Sequence, residues 1–223
     1  MRFQKLFEQC DIAIALTLLV RHHKKSNSAV GVEIGRITAS AFLRQGPAFL
    51  YNIYPPMKSL STLFAYKSWA DNELFNLLAT VDSAKYSGEI HTSVRVLNHV
   101  YVVDKIFQTH LIGGKHSYSN TNTETTPELE ELQFSIAESD SWFEKYVGVV
   151  SEENLRARIE FRFAAGDAGT MTREEMLLHV ITHGAYHRGN VGQVLKSIAI
   201  SPPADLYTRF LHISEPKRRQ IKE

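Results

Sequence analysis

Cysteine is almost absent from the chain. The single one, Cys10, cannot form an intramolecular disulfide, and it belongs to no metal-binding or redox motif. A chain that depends on no disulfide is typical of a reducing compartment. The composition therefore favours a cytoplasmic protein.

Long apolar runs are also missing. The longest covers residues 12–20, far fewer than the roughly 20 residues that a membrane-spanning helix needs. A basic cluster at residues 21–25 follows this run, whereas a secretory signal carries its charge before the apolar stretch. We expect neither a membrane span nor a cleaved signal.

The chain shows no large excess of one charge, but its charge is unevenly distributed. Residues 1–56 hold 7 basic and 3 acidic residues, and the remainder holds 18 and 21. The second part is mildly acidic, which does not suit nucleic-acid binding because that mode needs clustered cations. Nucleic acid is therefore not an expected partner.

A domain boundary is predicted at Pro56. Residues 1–56 show no sustained periodicity and end in Tyr54-Pro55-Pro56, which cannot continue a helix. We predict a weakly structured extension over 1–56, a domain over 57–213, and a solvated basic tail over 214–223.

Four segments of the domain carry apolar residues at helical spacing, over about 59–80, 91–111, 126–147 and 172–198. Their predicted N-terminal signals are Ser59 or Ser61 for the first, Thr126 with Pro127 for the third, and a Thr172–Glu175 capping box for the fourth.

Residues 155–164 instead alternate apolar and charged side chains, which indicates a short extended stretch or a hairpin arm. After Pro202-Pro203, a short helix with Leu206, Phe210 and Leu211 is expected to pack back on the domain. The fold class is therefore all-α: an up-down four-helix bundle with a short insert before the last long helix. Trp69, Trp142 and Phe134 are expected to face the core.

The last long helix places His183 and His187 one turn apart on its apolar face. Two rings in this register can reach one ion, although core or capping histidines bonded to neighbours are the alternative interpretation. His179 lies eight residues before His187, about 12 Å away along the helix, so we place it outside the ligand set.

His99 in the second helix is in line with Val96, Val103 and Ile106, and it also faces inward. Bundles build metal sites from side chains on facing helices, and three imidazoles leave coordination positions open, as in catalytic sites. We predict one divalent ion at His99, His183 and His187, with Asp104 as a weaker supporting candidate. The remaining histidines are interpreted as surface or capping residues: His91, His110, His116 and His212.

Three motifs resemble those of the DinB family in order and spacing. They are Leu63-Phe64-Ala65-Tyr66-Lys67-Ser68-Trp69-Ala70-Asp71, Leu97-Asn98-His99, and His183 with His187-Arg188-Gly189-Asn190. The resemblance covers everything after Pro56. It implies a four-helix bundle with a three-histidine site for Zn or Ni, and often a homodimer.

Two positions depart from the family pattern. Tyr186 stands where many members have another histidine, and Asn190 stands where glutamine is usual. Tyr186 is interpreted either as a hydroxyl near the site or as a helix-interface aromatic. Arg188, followed by Gly189, is interpreted as allowing close backbone approach or a dimer contact, or else as a solvated arginine.

An ion with open positions can activate water or a thiolate. Characterised proteins of the family include thiol S-transferases and isomerases that use low-molecular-weight thiols. We expect a divalent-metal-dependent enzyme of the thiol S-transferase or hydrolase type, acting on a small-molecule substrate. The alternatives are a non-catalytic, stress-linked metal- or ligand-binding module and an inert bundle with core histidines.

Overall fold

A computed structural model describes residues 58–220 of the chain. The elements in order are α1 Lys58–Leu78, α2 Ser87–Leu111, α3 Leu129–Val149, α4 Glu152–Arg156, β1 Arg158–Arg162, β2 Ala168–Thr172, α5 Arg173–Ser197, α6 Tyr207–Ser214 and a 3-10 helix Pro216–Arg219. None of the described helices is both long and apolar enough to cross a membrane. Cys10, the extension over 1–56 and its boundary lie outside the described residues.

Helices α1, α2, α3 and α5 pack together, which confirms the predicted helical bundle. Along α1 and α3 the contacts run in opposite order. Phe64 stacks on Phe143 with ring centres 5.0 Å apart, whereas Asn76 is bonded to Gln133. These two helices are therefore antiparallel.

Helices α2 and α5 are antiparallel as well. His99 contacts His187, and Phe107, two turns further along α2, contacts His179. Helices α1 and α5 run in the same direction, because Lys67 lies beside Gly184 and Asp71 bonds Arg188 four residues further along both chains. Hence α2 and α3 are parallel to each other, and the four helices run up-down-down-up. The helical bundle is as predicted, but the simple up-down order is corrected in this one respect.

Two parallel helices need a connection that returns the length of one helix, and α2 is roughly 37 Å long. Residues 112–128 form this connection, here called the crossover. It runs back along α2, from a bond between Gly114 N and Thr109 O to one between Asn122 Nδ2 and Arg95 O. The crossover therefore passes beside His99.

The core has two apolar clusters with a polar layer between them. One contains Phe64, Phe107, Phe143, Phe161, Leu177 and Val180, and the other contains Leu74, Phe75, Leu97, Leu132, Val191 and Leu195. The segments between these positions carry the buried charged residues and the predicted metal ligands. Charge and imidazole thus lie at the same level of the bundle.

The β1–β2 hairpin confirms the predicted insert, with Arg158 opposite Thr172 and Arg162 opposite Ala168. Gly166 in its turn has a φ of 97°, a conformation that favours glycine. The hairpin leads directly into α5, where the Thr172–Glu175 capping box is present as predicted.

Several local predictions are wrong. Helix α3 begins at Leu129, because the backbone of Glu128 is still extended, so Thr126 and Pro127 belong to the crossover. Ser59 and Ser61 lie inside α1 and cap nothing. Phe134 is exposed. Trp69 and Trp142 are only half-buried. Trp142 packs against the edge of the core, and Trp69 packs on Tyr66 and Phe210.

After α5, helix α6 packs back on α1 as expected, through contacts of Phe210 with Tyr66 and Trp69. Leu206 precedes this helix and is exposed.

Candidate metal centre

The three predicted histidines converge between α2 and α5. One ring nitrogen from each of His99, His183 and His187 lies within 4.8 Å of the other two. Nε2 of His99 is 3.0 Å from Nε2 of His183. Two nitrogens that are each about 2.0 to 2.1 Å from one tetrahedral zinc ion lie about 3.3 Å apart, so the observed spacing is close to that of a shared ion. The cluster can bind a metal.

The rings of the cluster pack edge to face on one another. The His183 and His187 ring centres are 4.5 Å apart, and those of His99 and His187 are 4.7 Å apart. The ring centre of His179 is 5.2 Å from that of His183 and 4.7 Å from that of Phe107, so His179 covers one end of the cluster. His179 is not part of the three-nitrogen group, so it supports the cluster by packing.

The crossover sets the protonation of His99. Nδ1 of His99 is 2.7 Å from the backbone carbonyl oxygen of Thr121. A carbonyl can only accept, so Nδ1 carries the proton and Nε2 keeps its lone pair toward the cluster. Metal-binding histidines commonly donate their other N–H to such a carbonyl.

Asn190 stands beside the third histidine. Its side-chain amide nitrogen is 3.4 Å from Nδ1 of His187. A half-turn of the amide exchanges nitrogen for oxygen, so the Asn190 side chain can also accept a hydrogen bond from Nδ1–H of His187 when Nε2 binds an ion. The residue that departs from the family pattern is thus able to orient His187.

Burial favours the neutral form of the α5 imidazoles. Burial, together with the neighbouring His187 and His99, lowers the pKa of His183 to about 3. Burial also lowers the pKa of His187 and of His179. Neutral imidazoles have a free lone pair at physiological pH and suit zinc, nickel, copper or iron. The residues present therefore fit a transition-metal ion.

A network of buried charges lies at the same level of the bundle. The side chain of Lys67 is 0% exposed and pairs with Asp71 at 3.0 Å, Asp104 at 3.0 Å and Asp140 at 2.5 Å. Arg188 pairs with Asp71 at 3.1 Å and with Asp205 at 2.8 Å. We call these residues the charged layer.

The charged layer also includes Tyr66, whose hydroxyl donates a hydrogen bond to Asp205. The layer thus holds four carboxylates against two cations.

The carboxyl groups of the layer have shifted pKa values. Burial raises the pKa of Asp104 to about 6 although Lys67 opposes it, and burial raises the pKa of Asp140 well above its usual range. Burial also acts on Asp71, but Lys67 and Arg188 outweigh it and hold the pKa of Asp71 below its usual value. Burial therefore favours the protonated forms of Asp104 and Asp140, whereas Asp71, which contacts both cations, is held in its ionised form.

Gly184 brings the charged layer against the metal-binding turn of α5. A Cβ at this position would lie 3.3 Å from Nη1 of Arg188 and 3.5 Å from Cε of Lys67. The absent side chain therefore leaves the space that both cations occupy. The turn between His183 and His187 therefore contacts α1 through Lys67, and Arg188 next to it pairs with Asp205.

The charged layer overturns two predictions. Arg188 is only 4% exposed, because it lies one turn after Gly184 on the inner face and is paired there, so both interpretations of it as a surface residue are wrong. Asp104 pairs with Lys67 and no contact joins it to a histidine of the cluster within the described residues. Sequence reasoning missed Lys67, Asp71 and Asp140 because single charges in helices usually face solvent.

Two predictions on aromatic residues are also wrong. His110 is 7% exposed and packs on Phe161 and His116, so it is a core residue. Tyr186 is 67% exposed, and its ring meets the ring of His187 at 5.0 Å, so it is no helix-interface aromatic of this bundle. Its hydroxyl is left free to act near the site.

The fold and the site together define a helical-bundle protein with a three-histidine candidate metal centre. The model of the DinB family matches residues 57–219, and the chain belongs to that family. It is 24% identical over 169 residues to Protein DinB of Bacillus subtilis (strain 168), which covers 70% of this chain and 95% of that protein. No solved structure matches the chain.

Proposed function

We propose that this protein binds one divalent metal ion, zinc or nickel, through His99, His183 and His187, and that it is a metal-dependent enzyme. The observation that carries the proposal is the convergence of three imidazoles from two helices. Within residues 58–220, no fourth histidine, cysteine or carboxylate joins the group. Three protein ligands leave positions open, as in catalytic rather than structural sites.

The proposed reaction is thiol transfer or hydrolysis on a small-molecule substrate. A bound ion supplies a Lewis acid that favours the deprotonated form of a water or a low-molecular-weight thiol. The chain's own part is to hold the imidazoles. Thr121 fixes the proton of His99, burial keeps His183 neutral, and the charged layer fixes the turn that carries His183 and His187.

A second candidate function is a non-catalytic metal- or ligand-binding module. The observation that favours it is the pairing within the charged layer, where Lys67 engages three carboxylates at once. These side chains are buried and paired as ions, which limits their access to a substrate as a general base. Turnover by the metal-loaded protein separates the two candidates.

A homodimer and a cytoplasmic location belong to the same proposal. They rest on the family and on the shortage of cysteine, respectively. Sedimentation of the full chain tests the first, and fractionation of the cells that make it tests the second.

The metal site is tested by elemental analysis of the purified full chain. We expect about one ion per chain, and strong loss of the ion in His99→Ala, His183→Ala and His187→Ala. His91→Ala is the matched control, because this histidine is exposed on α2 and should leave the ion in place.

The loaded protein is then assayed for thiol transfer and hydrolysis, with the chelated protein alongside. Turnover that disappears with the ion supports the enzyme. A full complement of metal without turnover in either assay supports the binding module. Folded protein that refuses both zinc and nickel contradicts the metal site itself.

A further inference from the structure

We propose that Asn98, acting through the crossover, is a positioning residue that keeps His99 in the tautomer with its proton on Nδ1. Metal binding then depends on a side chain that does not itself touch the ion. This inference rests on the proposed metal site and deepens it.

Asn98 is buried on α2, 1% exposed, directly before His99. Its amide nitrogen donates two hydrogen bonds to the crossover, one to Oδ1 of Asn122 and one of 2.6 Å to Oγ1 of Thr123. Both donor hydrogens of the amide are thereby used. A buried amide that is fully paired with one segment specifies where that segment lies.

Arg95, one turn earlier on α2, completes the attachment. Its backbone oxygen accepts from Nδ2 of Asn122 at 3.0 Å, and its Nη1 donates to the backbone oxygen of Thr123 at 2.5 Å. Four hydrogen bonds therefore join residues 122 and 123 to one turn of α2.

The carbonyl that accepts the hydrogen bond of His99 belongs to Thr121, the residue directly before Asn122 in the crossover. The crossover has no helix or strand of its own over residues 112–128. The place of this carbonyl is thus set by the attachment of its neighbours, to which Asn98 contributes two of the four hydrogen bonds. If the carbonyl moves away, the proton of His99 is free to shift to Nε2, where it occupies the lone pair that an ion needs.

The size of the effect follows from the general behaviour of such supporting contacts. Loss of a partner that orients a metal-binding histidine typically costs about 10- to 100-fold in metal affinity. We expect Asn98→Ala to lie in this range. Thr123→Ala should have a smaller effect, because Asn98 keeps its bond to Asn122.

The test uses the full chain with Asn98→Ala, Thr123→Ala and two controls. Thr123→Ser keeps the hydroxyl that Asn98 needs. Asn120→Ala changes an exposed residue of the same crossover. Zinc affinity is measured by competition with a chelator, and the His99 tautomer is measured from the ring 15N shifts of the metal-free protein.

The expected result is weaker zinc binding by Asn98→Ala and Thr123→Ala, together with a shift of His99 toward the tautomer protonated on Nε2. Both controls should behave as the unchanged protein. Weaker binding with an unchanged tautomer overturns the proposal, because it shows a merely structural role. Unchanged binding by Asn98→Ala overturns it as well.

Failure of the metal site itself has a different signature, since zinc would then stay bound to His99→Ala. Should Asn98→Ala not fold, the pair Thr123→Ala and Thr123→Ser, on the partly exposed crossover, decides the question by the same two measurements.

Discussion

The histidine cluster and the charged layer lie at one level of the bundle, yet they satisfy their polar groups differently. In the charged layer, Lys67 and Arg188 are surrounded by carboxylates of the same chain. In the cluster, the imidazoles face one another, and Nδ1 of His183 is buried without a hydrogen-bond partner in the described residues. Buried atoms without a hydrogen-bond partner in this part of the chain occur in both regions, including both carboxylate oxygens of Asp104 and Nη2 of Arg188. The difference is that the charged layer contains both signs of charge, whereas the cluster brings together three imidazole nitrogens that a metal ion can bind.

The strongest way to break this comparison is Lys67→Met, which removes the cation and leaves the carboxylates buried. We expect a loss of about 3 to 5 kcal/mol in the free energy of unfolding, as is typical when one partner of a buried ion pair is deleted. Urea denaturation measures it, with the exposed Lys145→Met as control. A loss no larger than that of the control would show that the layer does not stabilise the bundle.

The pH dependence of stability sharpens the same contrast. Burial raises the pKa of Asp104 from 3.8 to about 6, so the folded state binds more protons than the unfolded state between these values. Its contribution to stability is present below about pH 4 and is lost as the pH rises through about 6.

The Asp104→Asn variant cannot titrate at this position. Relative to the unchanged protein, its free energy of unfolding should rise by up to about 3 kcal/mol between pH 4 and pH 8. Denaturant unfolding at several pH values measures the difference. Parallel pH profiles for the two proteins would contradict the raised pKa of Asp104.

Zinc should stabilise the protein through the histidine cluster alone. Zinc at about 100 times its dissociation constant should raise the free energy of unfolding by about 2.7 kcal/mol, because it binds the folded state alone. The same addition should leave His183→Ala unchanged. Thermal unfolding with and without zinc compares them, and equal stabilisation of both proteins would place the ion elsewhere.

The smallest effect distinguishes two glycines of α5. Gly189→Ala meets no heavy atom within 4 Å and should stabilise the helix by about 0.5 to 1 kcal/mol. Gly184→Ala gains the same propensity but presses on Arg188 and Lys67, so it should gain less or lose stability. Equal gains by the two variants, measured by urea denaturation, would show that the charged layer does not need this space.

The sequence by itself determined the helices, the hairpin insert and the three histidines of the site. These depend on local signals: the apolar spacing that turns His99 and His187 inward, the i to i+4 step from His183, and the Thr172–Glu175 capping box. Signals of this kind are complete within one or two turns of chain. The weakest local prediction was the start of α3, where an extended Glu128 outweighs the signal of Thr126 and Pro127.

Only the tertiary structure decided which groups complete one another. Lys67 meets Asp140 from 73 positions away, and Arg188 meets Asp71 from 117 positions away. Helical periodicity indicates that a charged residue faces inward, but it does not identify the ion-pair partner that offsets the cost of its desolvation. The same holds for Thr121, whose carbonyl reaches His99 only because α2 and α3 are parallel and the crossover must return along α2.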